Sequence, residues 1–185
     1  DFEGTNYGKW KTDGSAFGKG PARGTIGGQM VVNGFLGNGL VNSFLPNDAP
    51  TGRLISPAFT IDRKFIRFLI GGGGYAGKTC MNLLVDEKPV RTGVGPNVVG
   101  GGSEALAWKH WNVSELAGKR ATLEIVDSHS GGWGHINVDH IFQSNLSDGN
   151  VPGGQKHDTS TDAEIPRWVQ YAQVLLSSNE FMFVR

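Results

Sequence analysis

The chain has 185 residues, 17 Lys plus Arg against 17 Asp plus Glu, and 29 glycines. That length suits one domain of ordinary size with a full core, and abundant glycine without a G-X-Y period excludes collagen and favours a loop-rich β protein. A formal net charge of zero, with no run of like charges, argues against nucleic acid and anionic membrane as partners and suits a neutral ligand such as a sugar.

Residues 1–28 set Phe2, Tyr7, Trp10 and Phe17 between glycines, which predicts an opening strand and then a loop wrapping the edge of the fold. From 29 to 143 the chain reads as short strands split by Gly, Pro, Asn and Asp. They are expected at 29–33, 40–45, 53–60, 64–70, 79–86, 89–91, 105–113, 121–126 and 135–142, most with β-branched or aromatic residues at alternate positions. The glycines of 71–74 read as a hairpin loop leaving room for a ligand or a neighbouring loop. No helical pattern follows them and no Lys-Ser/Thr pair closes them, so they are not a phosphate cradle, and no organic cofactor is expected. Only Ser114-Glu115-Leu116-Ala117-Gly118 reads as helical, with a Ser cap, one turn and a terminal Gly. The pattern predicts an all-β antiparallel β-sandwich, a jelly roll being its simplest form.

After Phe142 the character changes. Residues 144–161 are polar with Gly and Pro and read as a linker or strap. Residues 162–176 read as a helix, with Asp162 as cap, Pro166 early, and Trp168, Tyr171, Ala172 and Leu175 at helical spacing. Extra strands at 168–176 and 180–184 fit equally. The expected division is a sandwich over 1–143 and an extension over 144–185. No apolar run is long enough to span a membrane as a helix, and the start at Asp1-Phe2-Glu3 reads as a mature form or an excised module. Cys80 stands alone within a strand pattern and reads as a buried, inert thiol.

The richest stretch is Gly131-Gly132-Trp133-Gly134-His135-Ile136-Asn137-Val138-Asp139, where an indole and an imidazole sit among glycines and feed an alternating strand. Polar, aromatic-tipped loops delivered by rigid strands are common binding surfaces. Sugars offer C–H faces to aromatic rings and hydroxyls to oriented polar groups. Asp127, Trp133 and His135 bracket this loop and supply both. Asn42, Arg91 and Glu104 lie at strand ends or loops suited to the same rim, with Arg91 and Glu104 as a charged pair on hydroxyls. Plainer readings stand beside these. Trp133 fits a plug of the sandwich end, and Trp108 and Trp111 fit core or sheet-face positions. Arg91 with Glu104 fits a surface ion pair, and His135 fits a bond to a turn carbonyl. His135 and His140 have no Cys or third His nearby to make a zinc site.

Several blocks are familiar together. They are Asp1-Phe2-Glu3-Gly4 with Tyr7-Gly8, Trp10 and Gly14-Ser15-Ala16-Phe17-Gly18, then Leu40-Val41-Asn42-Ser43-Phe44, Ser56-Pro57, Phe68-Leu69-Ile70-Gly71-Gly72-Gly73 and Asn82-Leu83-Leu84-Val85-Asp86. Trp108, Trp111 and the segment Gly132 to Asp139 complete the set. Over residues 1–143 they resemble carbohydrate-binding module family 66, the β-sandwich modules of levanases and related secreted glycoside hydrolases. The resemblance implies a secreted, non-catalytic module that grips the terminal fructose of a levan- or inulin-type fructan and sits beside a catalytic domain. The chain departs from the pattern at Asp86-Glu87-Lys88-Pro89, which lacks the usual turn glycine, and at 96–103, a glycine-rich expansion.

Sandwich modules of this architecture often hold a structural Ca²⁺. The resemblance implies Glu3, on the first strand, and Asp139, on the last, as its ligands. Two alternatives remain open: a small glycan-active enzyme using Glu104 and Asp127 as a carboxylate pair, and a structural or adhesive module packing on a catalytic domain.

Overall fold

The computed structural model describes residues 1–146, within a compact unit spanning Asp1–Asn150. The expected helix at 162–176, the alternative strands at 168–176 and 180–184, and most of the 144–161 strap lie outside the described residues.

Among the described residues, ten strands form two antiparallel sheets. They are β1 Lys11–Gly14, β2 Val41–Asn42, β3 Gly52–Ile55, β4 Phe59–Thr60, β5 Phe65–Gly72, β6 Thr79–Val85, β7 Lys88–Gly93, β8 Ala107–Asn112, β9 Arg120–Asp127 and β10 Ile136–Ser144. One sheet runs β1-β3-β9-β6-β7, with β4 also paired to β9, and the other runs β2-β10-β5-β8. The chain crosses repeatedly between the two, as in a jelly roll. Alternation explains the packing. Ile66, Phe68 and Ile70 of β5 and Ile136 and Val138 of β10 face Leu54, Met81, Leu83 and Ile125 of the opposite sheet in one buried core. Cys80 is fully buried on the opposite face of β6, beside Asn82, and burial pushes its thiol pKa up, as expected for an inert thiol. Among the described residues no helix is long and apolar enough to cross a membrane.

Several boundaries differ from expectation for identifiable reasons. The 53–60 run is split into β3 and β4 at Ser56-Pro57, whose proline cannot donate to a ladder. Pro89 is tolerated because β7 is an edge strand. Asp86 and Glu87 link β6 to β7 at φ 51° and 61°, a type I′ pattern made without the customary glycine. Gly71 and Gly72 extend β5 rather than forming a hairpin loop, because β5 and β6 lie in different sheets. Glycine is required at Gly73, where a Cβ would strike the Trp133 carbonyl oxygen. Ser114 opens a 3-10 turn, Ser114–Leu116, and makes no side-chain cap.

Residues 29–33 form no strand. Val32 and Leu40 instead pack with Leu69 and Leu106, and with half-buried Phe35 and Leu36, in a second small cluster. Leu69 alternates with the core residues of β5, so residues 22–40 drape over the outer side of the four-stranded sheet. That drape forms one wall of the cleft described next.

Candidate ligand-binding cleft

The start of β10 delivers His135, Asn137 and Asp139 alternately with the core residues Ile136 and Val138. His135 is 2% exposed and sits between two carboxylates. Its Nδ1 is 2.6 Å from Asp48 Oδ1, and its Nε2 is 3.0 Å from each oxygen of Glu104. A neutral imidazole donates from one nitrogen only and carboxylates only accept, so imidazolium alone satisfies both sides. Burial pushes the His135 pKa down, but the hydrogen bond and charge of Glu104, and then those of Asp48, outweigh it and hold the pKa above its ordinary value. Asn137 Nδ2 donates to Glu104 Oε2 at 2.8 Å, so Glu104 is held from two sides.

Above this group opens a cleft of about 530 Å³. Gln29 and Met30 of the drape, Phe44, Asp48, Tyr75, Val98 to Gly101, and Trp133 line it together with Glu104 and His135. Trp133 has φ 60°, a region that bulky residues rarely enter. Its Nε1–H donates to the carbonyls of Val99 at 2.9 Å and Gly101 at 3.1 Å, which fixes the glycine-rich loop. The indole lies 5.6 Å from the His135 ring, tilted by 31°, and Phe44 meets that ring edge-on at 5.1 Å. Tyr75 Oη donates to the Val98 carbonyl at 2.8 Å. Both the indole and the imidazole therefore face one cavity. Trp133 is half-buried and also pins a loop, so the plug and platform readings describe the same side chain.

The other expected site residues fall elsewhere. Asp127 ends β9 with no exposure, and neither of its oxygens has a partner of hydrogen-bond geometry. Burial pushes its pKa up to about 7, offset in part by Ser43, the His129 N–H and the His135 charge, and reinforced by Asp48. Asp127 does not line the cleft. Asn42 is also buried; its Nδ2 donates to Gln29 Oε1 at 2.8 Å and so steadies the cleft wall from behind. The pairing of Arg91 with Glu104 is corrected. Arg91 lies on edge strand β7 of the six-stranded sheet, pairs with Glu115 and donates to the Asn112 carbonyl at 2.9 Å. Trp111 is a core residue against Phe68, whereas Trp108 is 37% exposed beside Arg67, His140 and Phe142 on the sheet face. Asp48, Phe44 and Tyr75 are site residues that the sequence pattern does not single out.

The expected calcium ligands are engaged otherwise. Glu3 precedes β1 and is not on a strand. Its two oxygens accept the Asn38 N–H at 3.0 Å, Oε1 also takes the Gly39 N–H at 3.1 Å, and these bonds hold its pKa below the usual range. Buried Asp139 accepts the Leu36 N–H at 2.8 Å and the His140 N–H at 2.7 Å. Burial raises its pKa, and those two donors lower it in part. Among the described residues no cluster of three or more His, Cys, Asp or Glu is placed to hold a metal. These carboxylates clamp the loop from Leu36 to Gly39 instead.

No family model matches the chain. It is 46% identical over 136 residues to "Putative glycosyl hydrolase ecdE" of Aspergillus rugulosus, a match covering 74% of this chain but 19% of that protein's length. Similar solved structures include a cyclase from Fischerella sp. TAU, with 12% identity, a TM-score of 0.45 and coverage of 74% of this chain and 83% of that one. Another is the carbohydrate-binding module CBM35 from Paenibacillus barcinonensis, with 17% identity, a TM-score of 0.37 and coverage of 72% and 98%. Scores this low carry no ligand and no activity across.

Proposed function

We propose that this chain is a non-catalytic carbohydrate-binding module that takes a terminal sugar residue in the cleft above His135. The sugar is read as fructose of a levan- or inulin-type fructan, and the module as the targeting part of a secreted glycoside hydrolase. One observation carries the reading: a buried imidazole ring held between Asp48 and Glu104 at the base of a cleft flanked by a half-buried indole. Carboxylates fixed in this way accept from sugar hydroxyls without reorganising, and the ring of Trp133 offers a face to sugar C–H groups. The resemblance over residues 1–143 supplies the fructose and the secreted setting. The partial match to a protein named as a glycosyl hydrolase favours attachment to such an enzyme.

Binding is favoured over hydrolysis on chemical grounds. A glycosidase needs an acid and a base or nucleophile that reach the same bond. Both oxygens of Glu104 face His135, and Asp127 is fully buried off the cleft. About a dozen heavy atoms in a hexose at roughly −0.3 kcal/mol each give about −4 kcal/mol, a Kd on the order of millimolar. Calorimetry with levan, inulin and fructose is expected to show weak, chain-end binding without release of reducing sugar. Sustained turnover would move the assignment to an enzyme, and no binding to any of the three would remove fructan as the ligand.

A further inference from the structure

The cleft has two chemically different zones. Its base is ionic, with His135, Glu104 and Asp48 in mutual contact. Its mouth is aliphatic: Met30 and Val31 are 50% and 73% exposed on the drape, and Val98 and Val99 are 48% and 72% exposed on the glycine-rich loop. Met30, Val98 and Val99 all belong to the cleft lining.

This exposure is built into the loops rather than being slack. Side-chain donors hold the carbonyls of Val98, Val99 and Gly101, from Tyr75 in the first case and Trp133 in the other two. Opposite, the Gln29 N–H bonds the Ile26 carbonyl at 3.0 Å, and the Val32 N–H bonds Thr25 Oγ1 at 2.9 Å. Two fixed loops therefore present aliphatic side chains to water across one opening. A cleft of about 530 Å³ also falls in the range of sites that take drug-sized ligands, roughly 300–1,000 Å³. At this mouth a sugar hydroxyl keeps its water, whereas an apolar substituent gains by covering the exposed side chains.

We propose that the cleft selects an amphiphilic glycoside, with its sugar on the His135 group and an alkyl or acyl substituent against Met30, Val98 and Val99. The inference rests on the reading that a sugar enters the cleft, and it adds to that sugar an apolar substituent.

The test is calorimetry, below micelle-forming concentration, with matched methyl and octyl glycosides of fructose, glucose and galactose. For at least one sugar the octyl glycoside is expected to bind at least ten-fold tighter than the methyl, the effect of burying a few methylenes. In the Met30→Ser/Val99→Ser double variant the octyl-to-methyl ratio should fall below three-fold. Both positions are exposed, and a matched melting curve checks the fold. Equal binding of the methyl and octyl glycosides of every sugar that binds would overturn the inference and leave the sugar reading standing. Binding of octyl glucoside or galactoside but of no fructoside would overturn fructose and support the inference. No binding of any octyl glycoside would overturn it, as would an unchanged ratio in the variant. A ligand-free dimer in sedimentation that the double variant abolishes would also overturn it, because a second copy would then cover the mouth.

Discussion

Two pairs of carboxylates on this molecule look alike in sequence and behave differently in space. Glu3 and Asp139 accept backbone N–H groups of Leu36, Asn38, Gly39 and His140. Asp48 and Glu104 accept from one buried imidazole and open onto a cavity. The first arrangement satisfies the loop's backbone. The second gathers charge beside empty space, which is how recognition sites are built. The lesson is that a carboxylate's role follows from its partners and from the space beside it, not from its strand or its spacing.

The largest effect should come from breaking the second arrangement. Glu104→Ala leaves a buried imidazolium with one counter-ion and the Asn137 amide without an acceptor. Removing one partner of a buried pair typically costs about 3–5 kcal/mol, and urea denaturation at pH 7 measures it. A loss below about 1 kcal/mol would mean that His135 is neutral and the ionic base of the cleft is misassigned.

A pH series sharpens the same contrast. The Asp127 pKa is raised to about 7 from 3.8, so between these values the unfolded chain loses a proton that the folded one keeps. Stability from this carboxyl is present below about pH 4 and lost as pH rises to about 7, by up to roughly 4 kcal/mol at about 1.4 kcal/mol per unit. The raised His135 pKa has the same sign: its contribution is full below the unfolded value of about 6.5 and fades as pH passes the folded value. Asp127→Asn should flatten the slope between pH 4 and 7, stabilise the protein above pH 7 and leave ligand binding unchanged. A slope that survives the substitution would assign it to other groups.

At the clamp, Asp139→Ala orphans the N–H groups of Leu36 and His140. A cost of about 2 kcal/mol is expected for such donors, read by denaturation, with no change in ligand affinity. The smallest effect is expected from Ca²⁺, whose addition should move the Tm by less than about 1 °C because binding to the native state must compete with those N–H donors. A rise of several degrees would show that Glu3 and Asp139 release the loop to share a cation.

The strands were legible where alternation and β-branched residues coincide, as in β5, β6, β9 and β10. The 29–33 run has the same composition, yet it packs only Val32 onto the outside of a sheet that is already complete and leaves Met30 and Val31 exposed, a tertiary choice that local pattern does not encode. In the cleft, Trp133 and His135 stand out in the sequence because glycine, indole and imidazole together are a strong signal, whereas Glu104 stands out only as a partner for Arg91 and lies against His135 instead. Asp48 was not, since Pro46-Asn47-Asp48-Ala49-Pro50 reads as an ordinary turn and its partner lies 87 residues away. Arg91 misled because a strand-end arginine looks the same whichever sheet carries it.

The most direct test follows the indole N–H signals by NMR as levan oligosaccharide is added. Trp133, whose Nε1–H is held by Val99 and Gly101 at the cleft, is expected to shift in a saturable way, while Trp108 on the sheet face stays in place. A saturable shift at Trp108 with Trp133 unmoved would contradict the account and move recognition to the outer sheet.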